Sequence, residues 1–255
     1  MNGSFEEGLQ HWHRNFVFTE DNNPSNICEV RREEKEDSMH VLYLKTKKRA
    51  FAVPGQDRVP QDINRICQLV KLDSQEDPFL EFEYKLDGKN CDFNGINGMY
   101  VWVEGFKGSS KTMNIIYSAN QIITTFGWLG NNSVPTVFYD LSALADQWHK
   151  VSLNIKKDFE RNENGLKYND LRPDRLLVNM GIWNVNMGAD QSFASYFDQF
   201  NLKYGLNAKS KIDGKLIKLK DDKLKWKMGK DILYPPTHVA GEHHYYVEGY
   251  KQLKY

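Results

Sequence analysis

Apolar residues recur at every second position along most of the chain. In Leu80-Glu81-Phe82-Glu83-Tyr84-Lys85-Leu86 the apolar set is 80, 82, 84 and 86; in Met99–Glu104 the aliphatic set is 99, 101 and 103. The same beat runs through 151, 153 and 155 and through 176, 178, 180 and 182. In a pleated strand successive side chains point to opposite faces, so this pattern predicts strands with one buried face. Further strands are predicted at Met39–Lys45, Ile66–Leu72, Met113–Tyr117, Thr136–Tyr139 and Phe197–Tyr204. Asp87-Gly88, Asn94-Gly95, Asn97-Gly98, Gly130-Asn131-Asn132 and Pro173-Asp174 supply turn chemistry between them. No long segment has a 3.6-residue period. One helical turn is expected at Leu141–Gln147, capped by Asp140 or Ser142. Many short strands at this spacing predict an all-β protein, an antiparallel β-sandwich or jelly roll.

The pattern changes after Gly205. From Lys209 to Lys230 there are nine lysines and three aspartates. Ile217, Leu219, Leu224, Trp226 and Met228 alternate with lysines around Asp221-Asp222, which predicts a hairpin. Residues 1–205 are therefore read as the sandwich and 206–255 as a β-rich extension packed on it, too small to bury a good core alone. The lysines are read as solubilising and as protecting a sheet edge.

Charge and composition narrow the function. Lys+Arg and Asp+Glu are both 34, a formal net charge of zero, which argues against bulk attraction to nucleic acid or an acidic membrane. No stretch approaches the ~20 apolar residues of a membrane span. No signal-peptide pattern precedes Asn2, leaving two expectations: an intracellular protein, or one whose export segment Met1 replaces. Cys28, Cys67 and Cys91 have no metal-binding spacing, and three cysteines allow one bridge at most. His238, His243 and His244 beside Glu242 lack the order and helical setting of a zinc-hydrolase motif.

Aromatics are abundant, at 13%. By strand parity, Tyr100, Trp102 and Glu104 point away from the aliphatic set of their strand, and Asn179 and Trp183 from theirs. Rings beside acids and amides on a non-core face suit a glycan: rings stack on the apolar faces of sugars, while carboxylates and amides bond the hydroxyls. Trp128, in a predicted loop, can cap such a groove. The same residues also suit a second covered sheet face. Trp12 and Trp148 are read as structural.

The two ends of the strand region carry a resemblance. Asn2-Gly3-Ser4-Phe5-Glu6-Glu7-Gly8, followed by Trp12, and Phe197-Asp198-Gln199-Phe200-Asn201-Leu202 resemble the opening and closing segments of carbohydrate-binding modules with the galactose-binding-like jelly roll, the kind attached to xylanases and glucanases. Lys48-Arg49-Ala50-Phe51 with Gly55, and Trp148-His149-Lys150-Val151, are similar to two inner segments of that family. The closing segment has a single aspartate where the family commonly has two, and residues 206–255 have no counterpart in it.

The resemblance implies a structural calcium ion held by Glu6 and Asp198 with carbonyls near Ser4 and Lys45, and a stacking role for Phe51. It also implies a glycan partner, an extracellular or cell-surface setting, and tethering to or action alongside a glycan-degrading enzyme. The expected function is thus non-catalytic glycan binding. The alternatives are a glycoside hydrolase or polysaccharide lyase on the same fold, with Glu81, Glu83 and Glu104 as carboxylates able to share a face, and an adhesin-like protein-interaction domain. No phosphate loop, Gly-x-Ser-x-Gly or ordered Cys/His pair is present.

Overall fold

The computed structural model describes residues 5–6, 8–9, 12–14, 26–35, 38–47, 61–72, 77–93, 96–120, 134–162, 165–185, 192–204, 214–217, 226–227 and 246–247. Two sheets pack face to face. The larger has seven strands: β1 (His13–Arg14), β4 (Gln61–Lys71), β10 (Arg175–Val185), β6 (Ile96–Lys107), β7 (Ser110–Ala119), β8 (Thr136–Leu141) and β12 (Gly214–Ile217), in that spatial order. The smaller has five: β2 (Ile27–Lys35), β3 (Ser38–Lys47), β11 (Ser192–Tyr204), β5 (Pro78–Leu86) and β9 (His149–Asn154). β13 (Trp226–Lys227) and β14 (Tyr246–Val247) pair with each other.

Period-two patterning explains the layers. Leu80, Phe82, Tyr84 and Leu86 of β5 and Leu42 and Leu44 of β3 point into the same core as Met99, Val101 and Val103 of β6 and Leu176, Val178, Met180 and Ile182 of β10. Each such side chain, fully buried, contributes ~1.5–3 kcal/mol. The opening segment closes one end of this core. Phe5 packs on Trp12 with ring centroids 5.9 Å apart, and Trp12 meets Phe200 of β11 edge-on at 5.7 Å. The beginning of the chain and β11 are therefore neighbours.

Some expectations are corrected. The pairing of β7 with β8 is parallel, so these two neighbours are not the arms of a hairpin. Residues 142–148 form an irregular segment with a bridge at Ala145, not a helical turn. Among the described residues the helices are α1 (Ile155–Phe159) and α2 (Tyr168–Leu171). In α1 the Asn154 side chain accepts from the Lys157 N–H at 2.9 Å, a cap that turns the strand beat ending at Leu153 into helix. Buried Asp158 of α1 accepts from the Tyr117 hydroxyl at 3.0 Å, and its carbonyl accepts from Tyr139 at 3.2 Å, fixing α1 to β7 and β8. The lysine hairpin expected within 216–228 falls largely outside the described residues; within them β12 pairs with the edge of β8, and β13 pairs with β14. The three cysteines are free.

Candidate functional site

Strand register decides which side chains share the outer face of the seven-stranded sheet. Arg65 of β4, Gly181 of β10, Tyr100 of β6, Ser118 of β7 and Asp140 of β8 are direct partners in one row across it. The next row is Cys67, Asn179, Trp102, Ile116 and Phe138, and the third is Leu69, Leu177, Glu104, Asn114 and Thr136. Trp183 partners Gly98 and Ile63 on the other side of the Arg65 row. The parity argument thus brings Tyr100, Trp102, Glu104, Asn179 and Trp183 together as expected. It missed Arg65, Asn114 and Ser118. The same parity rule applied to the Met113–Tyr117 strand selects Asn114, whereas Arg65 and Ser118 lie outside the strand limits read from the sequence.

The face is wired. The Asn179 side-chain amide donates to Glu104 Oε2 at 3.0 Å, and the other Glu104 oxygen pairs with Lys111. Lys111 Nζ also lies 5.0 Å from the Trp102 ring centroid. Trp102 Nε1–H donates to Asn114 Oδ1 at 3.2 Å, and Asn114 donates in turn to the Thr136 hydroxyl at 3.2 Å. Gly181 lets the Tyr100 ring lie across its backbone: a Cβ there would stand 2.5 Å from Tyr100 Cζ and 2.8 Å from Arg65 Cβ. The Tyr100 hydroxyl bonds to Arg65; burial pushes its pKa up to about 12, with Arg65 pulling it back. Burial also pushes the Cys67 thiol up.

Access is uneven. Trp183 and Tyr100 are 0% and 1% exposed, while Trp102 and Glu104 keep 8% and 5%. A stacking role for Trp183 and Tyr100 is therefore corrected for this conformation: neither ring has a free face. Asn179 is as buried as Trp183, so Trp102 and Glu104 are the more accessible members of the group. Phe51 and Trp128 lie outside the described residues.

Asn179 Oδ1, Ser118 Oγ and Arg65 Nε are buried without a hydrogen-bond partner. A buried polar atom left unpaired costs ~1–3 kcal/mol, so three on one face mark where a ligand or water supplies the missing bonds.

The outer face of the five-stranded sheet differs. Tyr43 and Tyr196 are partners with ring centroids 4.7 Å apart, Arg31 lies 3.6 Å over Tyr43, and Lys85 lies 4.4 Å over Tyr196 and 5.3 Å over Trp148. Lys85 also pairs with Glu33, and Tyr43 donates to Asp87 at 3.1 Å. Here the rings are already occupied by the protein's own cations. Glu83 and Glu81 stand on this face, so they do not share one with Glu104. Glu83 is the direct cross-strand partner of Asp198.

Glu6 is exposed beside β3, whereas Asp198 is fully buried on the neighbouring β11. Phe197 pairs with Leu42, and Glu6 bonds His40 two residues further along β3. Glu6 accepts from the His40 N–H at 3.1 Å and meets its Nδ1 at 2.5 Å. Lys45 is not there: it pairs with Ala194, roughly 13 Å along β11 from Asp198 at strand rise, and its carbonyl accepts from Asn64. Ser4 lies outside the described residues. Among the described residues no three His, Cys, Asp or Glu side chains group closely enough to hold a metal ion. Two carboxylates fit one side of a calcium shell, which takes six to eight oxygens, but do not complete it.

No protein-family model matches the chain, and no curated protein matches its sequence. Solved structures similar to it include a family 61 carbohydrate-binding module in complex with β-1,4-galactotriose, at 9% identity and TM-score 0.41, covering 80% of this chain and 96% of that one. Others are a family 12 xyloglucanase from Bacillus licheniformis (10%, TM-score 0.43, 78% and 95%) and a family 28 carbohydrate-binding module specific for non-crystalline cellulose (14%, TM-score 0.39, 80% and 93%). At these scores they stand as distant resemblances of strand layout.

Proposed function

We propose that the protein binds a glycan, without cleaving it, on the outer face of the seven-stranded sheet. One observation carries this reading: a sheet face turned away from the core gathers aromatic rings with buried polar atoms that lack partners. Trp102, the least buried of the three rings, offers the apolar contact. Glu104 offers a hydroxyl contact, and Tyr100, Trp183 and the fully buried Asn179 form the floor beneath it. Hydrolysis on this face is disfavoured by spacing. Glu104 and Asp140 are two strands and four residues apart, roughly 16 Å between Cα atoms, whereas a glycosidase pair needs carboxyl groups ~5–10 Å apart.

Affinity-gel electrophoresis over a polysaccharide panel tests the proposal. The wild type is retarded by at least one polymer, and Trp102→Ala is not. Equal mobility of the two proteins on every polymer removes the reading.

Calcium belongs to the same proposal: Glu6 and Asp198 contribute carboxylates, and the ion takes Glu6 from His40. So do a setting outside the cell and tethering to a glycan-degrading enzyme, which raises the effective concentration of a weak single site.

A second reading has one observation in its favour. Glu83 and Asp198 face each other across β5 and β11, about 5 Å between Cα atoms, beside Tyr196. Release of reducing sugar, lost in Glu83→Gln, favours a glycan-cleaving enzyme on the five-stranded face.

A further inference from the structure

We infer that the ligand of this face is an anionic glycan whose acidic group docks on Arg65; this rests on the glycan-binding reading above.

Arg65 is half-buried on the face, directly across Gly181 from Tyr100. Its bond is to the Tyr100 hydroxyl, a neutral acceptor, while its Nε–H is buried without a partner. Among the described residues, the carboxylate of the neighbouring strands on this face is engaged elsewhere. Glu104, two rows away, is taken by Lys111 and Asn179, and His13 lies exposed opposite Cys67. A guanidinium presents donors in a planar fork that matches a carboxylate or sulfate. Leaving one edge of that fork buried and empty costs free energy that an incoming anion recovers.

A second group points the same way. Asn179 is fully buried, donates both its amide bonds to Trp102 O and Glu104, and leaves Oδ1 as an unfilled acceptor. Asn179 is the diagonal neighbour of Arg65 across β4 and β10, roughly 7–8 Å away. An unfilled cationic donor and an unfilled acceptor on adjacent strands suit one acidic sugar: its anionic oxygens on Arg65, a ring hydroxyl or its bridging water on Asn179. A neutral glycan satisfies Asn179 but leaves the guanidinium charge without a counter-ion.

Isothermal titration of the full chain with a polyuronate, a sulfated polysaccharide and a neutral polysaccharide tests this, using wild type, Arg65→Gln and Arg65→Lys. The anionic polymers bind the wild type more tightly than the neutral one. Arg65→Gln loses about tenfold or more on the anionic polymers while any neutral binding stays within about twofold; Arg65→Lys falls between. Preference for the polyuronate assigns a carboxylate, and preference for the sulfated polymer assigns a sulfate ester. Neutral binding as tight as anionic, or anionic binding untouched in Arg65→Gln, overturns the inference and leaves glycan binding standing. No binding of any polymer overturns both. The wild-type preference decides the matter even if the variants fail to fold.

Discussion

Replacing Gly181 by alanine tests the row that places Tyr100 and Arg65. The added Cβ falls 2.5 Å from both Cζ and Oη of Tyr100 and 2.8 Å from Arg65 Cβ. Ordinary van der Waals contact needs about an ångström more, so the ring must swing away. Tyr100 is buried and bonded to Arg65, so it cannot do so freely. Overpacking of this kind costs ~1–3 kcal/mol, and parting the hydroxyl from a charged partner adds ~1.5–3 kcal/mol if the bond is lost entirely. The smaller conformational freedom of the unfolded alanine chain returns ~0.4–1 kcal/mol. A net loss of about 2–3 kcal/mol is expected, a fall in melting temperature of roughly 5–10 °C for a chain of this size. Thermal and urea unfolding followed by circular dichroism measure it. Because the clash is with one ring, Tyr100→Ala combined with Gly181→Ala is expected to be little worse than Tyr100→Ala alone. A Gly181→Ala protein that melts within a degree of wild type, or a double variant whose losses simply add, refutes the reasoning.

Three further outcomes are expected. Asp158→Ala strands the buried Tyr117 hydroxyl and lowers urea-unfolding stability by about 1–3 kcal/mol, while Asp158→Asn, which keeps an acceptor oxygen, loses less. Burial raises Tyr100 to about 12 and raises Tyr43, Tyr117, Tyr139 and Tyr168 as well, so their contribution is whole below pH ~10 and lost as pH rises above it. The unfolding free energy falls above that pH by up to ~1.4 kcal/mol per pH unit for each tyrosine, lowering the urea midpoint, and a flat profile from pH 9 to 11 contradicts this. Calcium at a hundredfold excess over its dissociation constant raises stability by about 2.7 kcal/mol in wild type and not in Asp198→Asn; a melting temperature indifferent to calcium and chelator removes the ion from the proposal.

Much of the architecture was legible in the alternation of side chains, and the misses have physical causes. β2 carries no legible strand pattern because its inward positions include only Cys28 and Val30 between charged residues, too few for a periodic signal. Ile155 keeps the strand beat of Val151 and Leu153, yet Asn154 caps a helix there, a local bond that overrides the pattern. At Gln199 the backbone turns left-handed, with φ 52°, and the resulting bulge returns Phe200 to the core three residues after Phe197, a phase shift that period two cannot anticipate. Parity identified which residues of β6 and β10 leave the core. It could not tell that their face is sealed over Trp183, nor that Arg65 stands across from Tyr100, because both depend on pairing between segments distant in sequence.

The most direct test of the central claim is a ¹H–¹⁵N spectrum of the six indole N–H groups during titration with a glycan that retards the protein in gels. Trp102, the rim ring of the seven-stranded face, is predicted to shift in a saturable way, together with the Asn179 side-chain amide, while Trp12, packed in the core against Phe200, stays in place. A saturable shift confined to Trp148 on the five-stranded face, with Trp102 unmoved, contradicts it.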